Sequence, residues 1–255
     1  MKYALILSGF LRKEENLKNL KVWLDANSDK EIDIYINTYN VMGLQTKTSV
    51  EDEYAQEINR NTFLGLGNIA HFECANFTET QKYIKDLIRK EEIESFLSQP
   101  NIVGSIDKSK TSTDWEMNKL LSQFYMNYKN LQNLKNIKYD GVIKSRFDLN
   151  HNKLPSLEDD LQDGTVYGDC HKIWKKIPVI YDPYFIMPFT CIKSLIKSYD
   201  ISHALDIIRE RKEITEWKGG ISCELTLSLS LFSLEGLKLS KIKSKVGINR
   251  HAKYR

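Results

Sequence analysis

Apolar residues in the N-terminal part of the chain switch between strand-like and helix-like spacing. Residues 3–8 form a short apolar run that ends at Gly9, as is typical of a buried parallel strand. Leucines recur at helical spacing between residues 17 and 24, and isoleucines alternate with polar residues between 32 and 36. This order predicts a βαβ unit with a right-handed crossover.

Two further strands and two further helices are predicted before residue 150. We expect a third strand near residues 69–72 and a central strand at Val142-Ile143. A capping box at Thr78-x-x-Gln81 predicts the start of one helix. A second box at Thr113-x-x-Glu116 predicts the start of a longer helix over about 114–135.

Residues 222–233 fit two patterns, because their leucines alternate as in a strand while the segment is long for a strand. Ser222 is a good N-cap and Gly236 a good terminator, so we predict a helix here and a strand over 237–242. Strands alternating with helices predict an α/β fold with a mostly parallel central sheet flanked by helices.

Composition narrows the class of protein. The 255 residues are 41% hydrophobic and 28% charged, as in ordinary globular proteins. No apolar run approaches the length of about 18 residues that would cross a bilayer. The net charge of +3 does not indicate a nucleic-acid partner. The four cysteines are scattered singly, which argues against a zinc site or a disulfide scaffold and fits a cytoplasmic protein.

Charge is distributed unevenly near the C-terminus. No acidic residue follows Glu235, whereas seven basic residues do: Lys238, Lys241, Lys243, Lys245, Arg250, Lys253 and Arg255. They form either a solvated strand and tail or a surface that contacts anionic lipid headgroups, where each basic residue contributes about 1 kcal/mol.

Polar residues that follow the predicted strands are candidate ligand contacts, because open α/β sheets bind ligands at the carboxyl ends of their strands. After the first strand, Gly9 allows close approach of the backbone, and Ser8 and Arg12 add a hydroxyl and a phosphate-binding guanidinium. After the second strand, Asn37 and Thr38 are placed to contact a base or a ribose. Ordinary turns also explain both clusters, and the two interpretations stay open here.

Three charged residues follow the predicted central strand. Lys144, Arg146 and Asp148 share one face if the strand extends that far, since side chains two residues apart point the same way. Arg146 is suited to neutralise a diphosphate, and Asp148 to hold a divalent cation or a ribose hydroxyl. The alternative is a simple Arg-Asp pair at the end of a strand.

Two acidic residues in the second half are candidate general bases for an acceptor hydroxyl. Asp182 precedes the apolar segment 185–187, which predicts a strand. Glu224 lies in the first turn of the helix predicted after Ser222, where it is also a favourable partner for the helix dipole without any function.

These short motifs, taken in order, resemble those of bacterial surface-polysaccharide glycosyltransferases, in particular the WavE-type lipopolysaccharide-synthesis family. The resemblance covers roughly residues 3–240 and rests on four segments. They are Ile6-Leu7-Ser8-Gly9-x-x-Arg12, Asp33-Ile34-Tyr35-Ile36-Asn37-Thr38-Tyr39, Ser122-Gln123-Phe124-Tyr125 through Lys129, and Tyr139 through Leu149. The resemblance implies a GT-A-like fold and transfer of a sugar from a nucleotide-sugar donor to a growing glycan.

The resemblance also implies roles for individual residues. Ser8, Gly9 and Arg12 would line the donor pocket, and Gln123 and Lys129 would face it. Arg146 and Asp148 would stand where such folds keep an Asp-x-Asp motif. Because Arg146 replaces the first aspartate, either a Mn²⁺ or Mg²⁺ ion held by Asp148 or the arginine itself would stabilise the leaving diphosphate.

The leading hypothesis is therefore a cytoplasmic glycosyltransferase that acts on lipopolysaccharide or capsule, with a glycan or lipid-linked glycan as acceptor. We expect a single domain over 1–255, with a nucleotide-binding half at 1–150 and an acceptor-side half at 151–255. The basic C-terminus would place it at the inner face of the cytoplasmic membrane. The alternatives are a transferase of phosphate or sulfate groups on the same glycans, and a non-catalytic α/β binding module.

Overall fold

A seven-stranded sheet lies at the centre of the computed structural model, which describes residues 1–12, 14–42, 56–90, 113–134, 137–157, 159–211 and 222–242. The strands are β1 (Lys2–Gly9), β2 (Glu31–Tyr39), β3 (Val41–Met42), β4 (Gln56–Glu57), β5 (Asn68–Ala75), β6 (Gly141–Ser145), β7 (Thr165–Trp174), β8 (Ile177–Pro188) and β9 (Lys238–Lys241). The helices are α1 (Glu14–Ala26), α2 (Phe77–Lys90), α3 (Thr113–Gln132), α4 (Ile192–Tyr199), α5 (Ile201–Glu210) and α6 (Cys223–Ser228). Strands β3 and β4 pair separately as a small antiparallel sheet.

The strand order of the large sheet is β5-β2-β1-β6-β8-β7-β9. The pairs β5–β2, β2–β1, β1–β6 and β7–β9 are parallel. Strand β8 runs antiparallel to both of its neighbours, β6 and β7. The α/β class predicted from the sequence is confirmed, and the prediction of a mostly parallel sheet holds except for β8.

The helices pack on both faces of the sheet because side chains of a strand alternate between its faces. On β1, Leu5 and Leu7 point into one apolar cluster together with Trp23 of α1. Ile6 points to the opposite side, into a cluster with Phe124 of α3. The helix α6 also packs on this second side, so α1 lies on one face while α3 and α6 cover the other.

The predicted helix after Ser222 is confirmed. The Ser222 hydroxyl accepts a hydrogen bond from the Leu225 amide at 3.1 Å, which fixes the start of α6. The helix continues as a π-helix over Leu229–Leu234. Gly236 then takes a φ of 71°, a conformation that favours glycine, and β9 follows.

One capping prediction is wrong. The side chain of Asn76, and not that of Thr78, accepts the backbone amide of Glu79 at the start of α2. Gln81 instead donates to the hydroxyl of Ser122 on α3 at 2.8 Å, so its side chain joins two helices. The helix predicted over 114–135 is present as α3, although the side chains of its first turn lie outside the described residues.

Among the described residues, no helix is long and apolar enough to cross a membrane. Five of the seven basic residues of the C-terminal segment, from Lys243 onwards, lie outside the described residues, and Lys238 and Lys241 are exposed on β9.

Candidate functional site

The chain changes direction across the sheet between β1 and β6. From β1 it continues through α1 to β2 on one side, whereas β6 lies on the other side of β1 and is entered after α3. Helices α1 and α3 cover opposite faces of the sheet, and the carboxyl ends of β1 and β6 lie side by side at this switch point. In open α/β sheets this is the position where ligands bind.

Three charged side chains meet at this switch point. The Nε and Nη2 atoms of Arg146 lie 2.9 and 2.8 Å from the two carboxylate oxygens of Asp148, in a bidentate pair. Nη2 of Arg12, which follows β1, lies 3.2 Å from Oδ2 of the same carboxylate. The carboxylate of Asp148 therefore joins the turn after β6 to the turn after β1.

The cluster combines a buried anion with two partly exposed cations. The side chain of Asp148 is 3% exposed, whereas those of Arg12 and Arg146 are 30% and 22% exposed. Burial alone would raise the pKa of Asp148, but the Coulomb attraction of Arg146 and Arg12 outweighs it and holds the pKa below its ordinary value. With two guanidinium groups around one carboxylate, these three side chains together carry a net positive charge.

The turn after β1 is held in place by α3. The Ser8 hydroxyl donates to the Met126 carbonyl at 3.4 Å, and the Asn130 amide donates to Ser8 Oγ at 3.2 Å. The same amide also donates to the backbone carbonyl groups of Leu7 and Tyr35. Sequence reasoning identified Ser8 but missed Asn130, whose partners are distant in sequence.

Gly9 has a φ of 106°, in the region that disfavours a side chain. Its carbonyl accepts the Thr38 hydroxyl at 2.9 Å, which joins the ends of β1 and β2. Asn37 is buried and its amide lies 3.4 Å from Glu73 on β5. The polar residues at the end of β2 thus contact neighbouring strands.

The shared face predicted for Lys144, Arg146 and Asp148 required a strand that extends to residue 148, whereas β6 ends at Ser145. Lys144 pairs with Ile6 in the sheet and is buried. Arg146 and Asp148 lie beyond the strand, in the turn that follows it. The predicted proximity of Arg146 and Asp148 is observed, but it arises from this turn and not from strand alternation.

The two predicted positions on α3 differ in their surroundings. Gln123 is half-buried and lies two turns before Asn130, on the same side of the helix. Lys129 is exposed on the solvent side of α3.

Asp182 lies within β8, and not ahead of a strand as predicted. Gly168 of β7 pairs with Phe185 and Cys170 pairs with Ile180, so residues 181–184 bulge opposite a single residue. The backbone of Asp182 therefore does not pair with β7, and it lies just beyond the carboxyl end of β6. The side chain of Asp182 is outside the described residues. Such bulges are common beside active sites.

Glu224 lies in the first turn of α6 and is half-buried. The Ser228 hydroxyl of α6 accepts a hydrogen bond from the Ile180 amide of β8 at 2.9 Å. The π-helix then runs from α6 to the start of β9, which lies beside the amino end of β7. The N-terminal end of α6, with Glu224, therefore points toward the same edge of the sheet as Asp148.

Sequence reasoning missed the buried pair of Ser145 and His151, which flank the turn that carries Arg146 and Asp148. Nε2 of His151 lies 3.0 Å from the Ser145 hydroxyl, and both residues are inaccessible to solvent. Burial lowers the pKa of His151 to about 4. The pair closes the turn that carries Arg146 and Asp148, and no motif in the sequence indicates it.

The groups that surround Asp148 are not suited to bind a divalent cation. Both carboxylate oxygens accept hydrogen bonds from guanidinium groups, whose positive charges would repel a metal ion. Within the described ranges, no group of three or more His, Cys, Asp or Glu side chains is arranged to hold a metal. The predicted metal role of Asp148 therefore does not agree with its surroundings.

A separate cavity of about 630 Å³ lies between α3, α4 and α5. Its lining is mostly apolar and includes Tyr128, Phe189 and Ile196. Phe189 follows the end of β8, which lies beside the amino end of β6, so this cavity is distinct from the switch point at Asp148.

The sequence matches no protein-family model, and no curated protein matches it. The structure is similar to the crystal structure of the galactosyltransferase LgtC in complex with donor and acceptor sugar analogs. The TM-score is 0.40 and the sequence identity 12%, over 93% of this chain and 73% of that chain.

Proposed function

We propose that the protein is a glycosyltransferase that moves a sugar from a nucleotide-sugar donor to a bacterial surface glycan. The observation that carries this proposal is the cluster of Arg12, Arg146 and Asp148 at the carboxyl ends of β1 and β6. Such a switch point suits a nucleotide, and two guanidinium groups suit a diphosphate. The glycan acceptor is inferred from the motif resemblance alone.

In this proposal the arginines act on the leaving group. Negative charge develops on the diphosphate as the glycosidic bond to the donor breaks, and preorganised guanidinium groups stabilise that charge. Asp148 orients both arginines and does not coordinate a metal ion. Glu224 and Asp182 are the candidate bases for the acceptor hydroxyl if transfer inverts the anomeric configuration.

A thermal-shift panel tests the proposal. UDP-, GDP- and CMP-sugars, free nucleotides and adenylyl sulfate are added separately to the protein, and stabilisation by a nucleotide sugar is the expected result. Stabilisation by adenylyl sulfate alone would favour a sulfate-group transferase. If no compound of the panel stabilises the protein, the result would favour a non-catalytic module.

Arg12→Gln is the informative variant, because it leaves the bidentate pair of Arg146 and Asp148 intact. Loss of one charge-assisted contact is expected to weaken donor binding by about 10- to 100-fold. Arg60→Gln is the matched control: Arg60 donates to the Ile69 carbonyl near the start of β5, at the other edge of the sheet. Equal donor binding by the wild-type protein and Arg12→Gln would refute the role of Arg12.

A further inference from the structure

The hairpin between β7 and β8 extends well past the sheet edge that carries the candidate site. Lys144, next to the last residue of β6, pairs with Phe185, and β8 begins eight residues before Phe185, at Ile177. Trp174 pairs with Ile177 at the far end of the hairpin. The tip, residues 172–177, therefore lies on the same side of the molecule as Arg12, Arg146 and Asp148.

The backbone of this tip is unusual for its residues. Lys175 and Lys176 form the two-residue turn, with φ values of 48° and 69°. A turn of this type normally contains Asn-Gly or similar residues, because positive φ is unfavourable for residues with a Cβ. Two lysines at these positions place two charges at the tip in spite of that backbone cost.

The tip also exposes an apolar side chain among cations. Ile173 is 68% exposed, and the Lys172 ammonium lies 5.9 Å from the centroid of the partly buried Trp174 ring. Three lysines and no acidic residue lie between Cys170 and Tyr181, and Asp169 and Asp182 border this segment. An exposed isoleucine gains nothing from a soluble polyanion, whereas an apolar side chain flanked by lysines suits the headgroup region of an anionic bilayer.

We propose that the tip of the β7–β8 hairpin binds an anionic lipid surface, with Ile173 inserted at headgroup level and Lys172, Lys175 and Lys176 in contact with the lipid phosphates. These residues are different ones from the basic residues of the C-terminal segment considered from the sequence. If the proposed function is correct, the hairpin also turns the candidate site toward the membrane, where a lipid-linked acceptor would lie.

Sedimentation with vesicles tests this surface, using the full chain. The vesicles consist of phosphatidylcholine, with or without phosphatidylglycerol as the minority lipid. We expect binding to the anionic vesicles that weakens at high salt. The double variant Lys175→Gln/Lys176→Gln should bind about 25-fold more weakly, since each basic residue near the surface contributes about fivefold.

Ile173→Asn removes the apolar side chain without changing the charge of the tip, so it separates a membrane from a soluble polyanion, and it should weaken vesicle binding about tenfold. Leu64→Asn is the matched control, because Leu64 is 73% exposed just before β5, at the other edge of the sheet. Absence of vesicle binding by the wild-type protein would overturn the proposal. A loss caused by the lysine changes but not by Ile173→Asn would also overturn it, in favour of a polyanionic partner.

The donor panel is repeated on the hairpin variants, so that the two proposals can fail separately. Ile173→Asn should retain the thermal midpoint and the nucleotide-sugar stabilisation of the wild-type protein while vesicle binding falls. Vesicle binding that depends on Ile173 in a protein that binds no nucleotide sugar would sustain the membrane surface and refute only the proposed function.

Discussion

Arg12 and Asp148 follow two different strands, yet Nη2 of Arg12 lies 3.2 Å from Oδ2 of Asp148. The contact joins the ends of β1 and β6, which are adjacent in the sheet although α1, β2, β5, α2 and α3 lie between them in the chain. Arg146, which lies in the same turn as Asp148, also donates hydrogen bonds to this carboxylate. The fold thus assembles a positively charged site from residues that are separate in sequence.

The buried carboxylate is expected to stabilise the fold at neutral pH. Asp148→Asn removes the partner of two guanidinium groups, and breaking such a pair costs about 3–5 kcal/mol when fully buried. We expect about 2–3 kcal/mol here, because both arginines are partly exposed. Urea unfolding measures the change. Asp86→Asn, exposed on α2, should stay within about 0.5 kcal/mol.

The pH dependence of the same variant gives a second readout. The folded pKa of Asp148 lies below its unfolded value of about 3.9. Its contribution is therefore present above that pH and is lost as pH falls through the folded pKa. The stability gap between the wild-type protein and Asp148→Asn should narrow below about pH 4. A gap that is constant with pH would show that the charge of Asp148 is not the cause.

Donor binding is expected to be independent of divalent metal, because the guanidinium groups occupy the oxygens of Asp148. The nucleotide-sugar stabilisation found in the thermal-shift panel should be the same in EDTA and in Mn²⁺. Stabilisation that disappears in EDTA and returns with Mn²⁺ or Mg²⁺ would contradict this assignment of Asp148.

Asn130 is expected to be a structural residue of the site. Its amide donates to Ser8 and to the carbonyls of Leu7 and Tyr35, in the interior of the molecule. Asn130→Ala leaves these acceptors without that donor and should cost about 2–4 kcal/mol. Asn133→Ala is the control, since the exposed Asn133 donates to carbonyls of its own helix segment and should cost under about 0.5 kcal/mol. Urea unfolding compares the two, and equal costs would contradict a special role of Asn130.

Helices and strands can be predicted well from the sequence where the periodic pattern is long. Contacts between individual residues are predicted less well. The helical segment over 223–234 follows from Ser222 and Gly236, which flank its two ends and mark them by local chemistry. The proximity of Asp148 to the turn at 8–12 was expected, because carboxyl ends of parallel strands share one edge. Strand β6 is shorter than a shared face of Lys144, Arg146 and Asp148 required, because its length depends on its pairing with other strands. Asn130 and His151 carry no local motif.

His151 offers a test of the turn that carries the site. Its folded pKa of about 4 lies below the unfolded value of about 6.5, because burial disfavours the charged ring. The unfolded chain therefore binds a proton between these values while the folded protein does not. Stability is present above the unfolded pKa and is lost as pH falls toward the folded pKa. The difference of about 2.5 pKa units corresponds to about 3 kcal/mol.

His151→Gln should remove most of this pH dependence, because glutamine does not titrate while its amide can still reach the Ser145 hydroxyl. Urea unfolding of the wild-type protein should give a clearly lower stability at pH 4.5 than at pH 7, and the variant should show a smaller difference. His203→Asn is the control, since His203 is partly exposed and contacts Ser230 on the other face of the sheet. It should keep the wild-type pH dependence. If His151→Gln and His203→Asn reduce it equally, the acid sensitivity does not arise from the histidine beneath the Arg146–Asp148 turn.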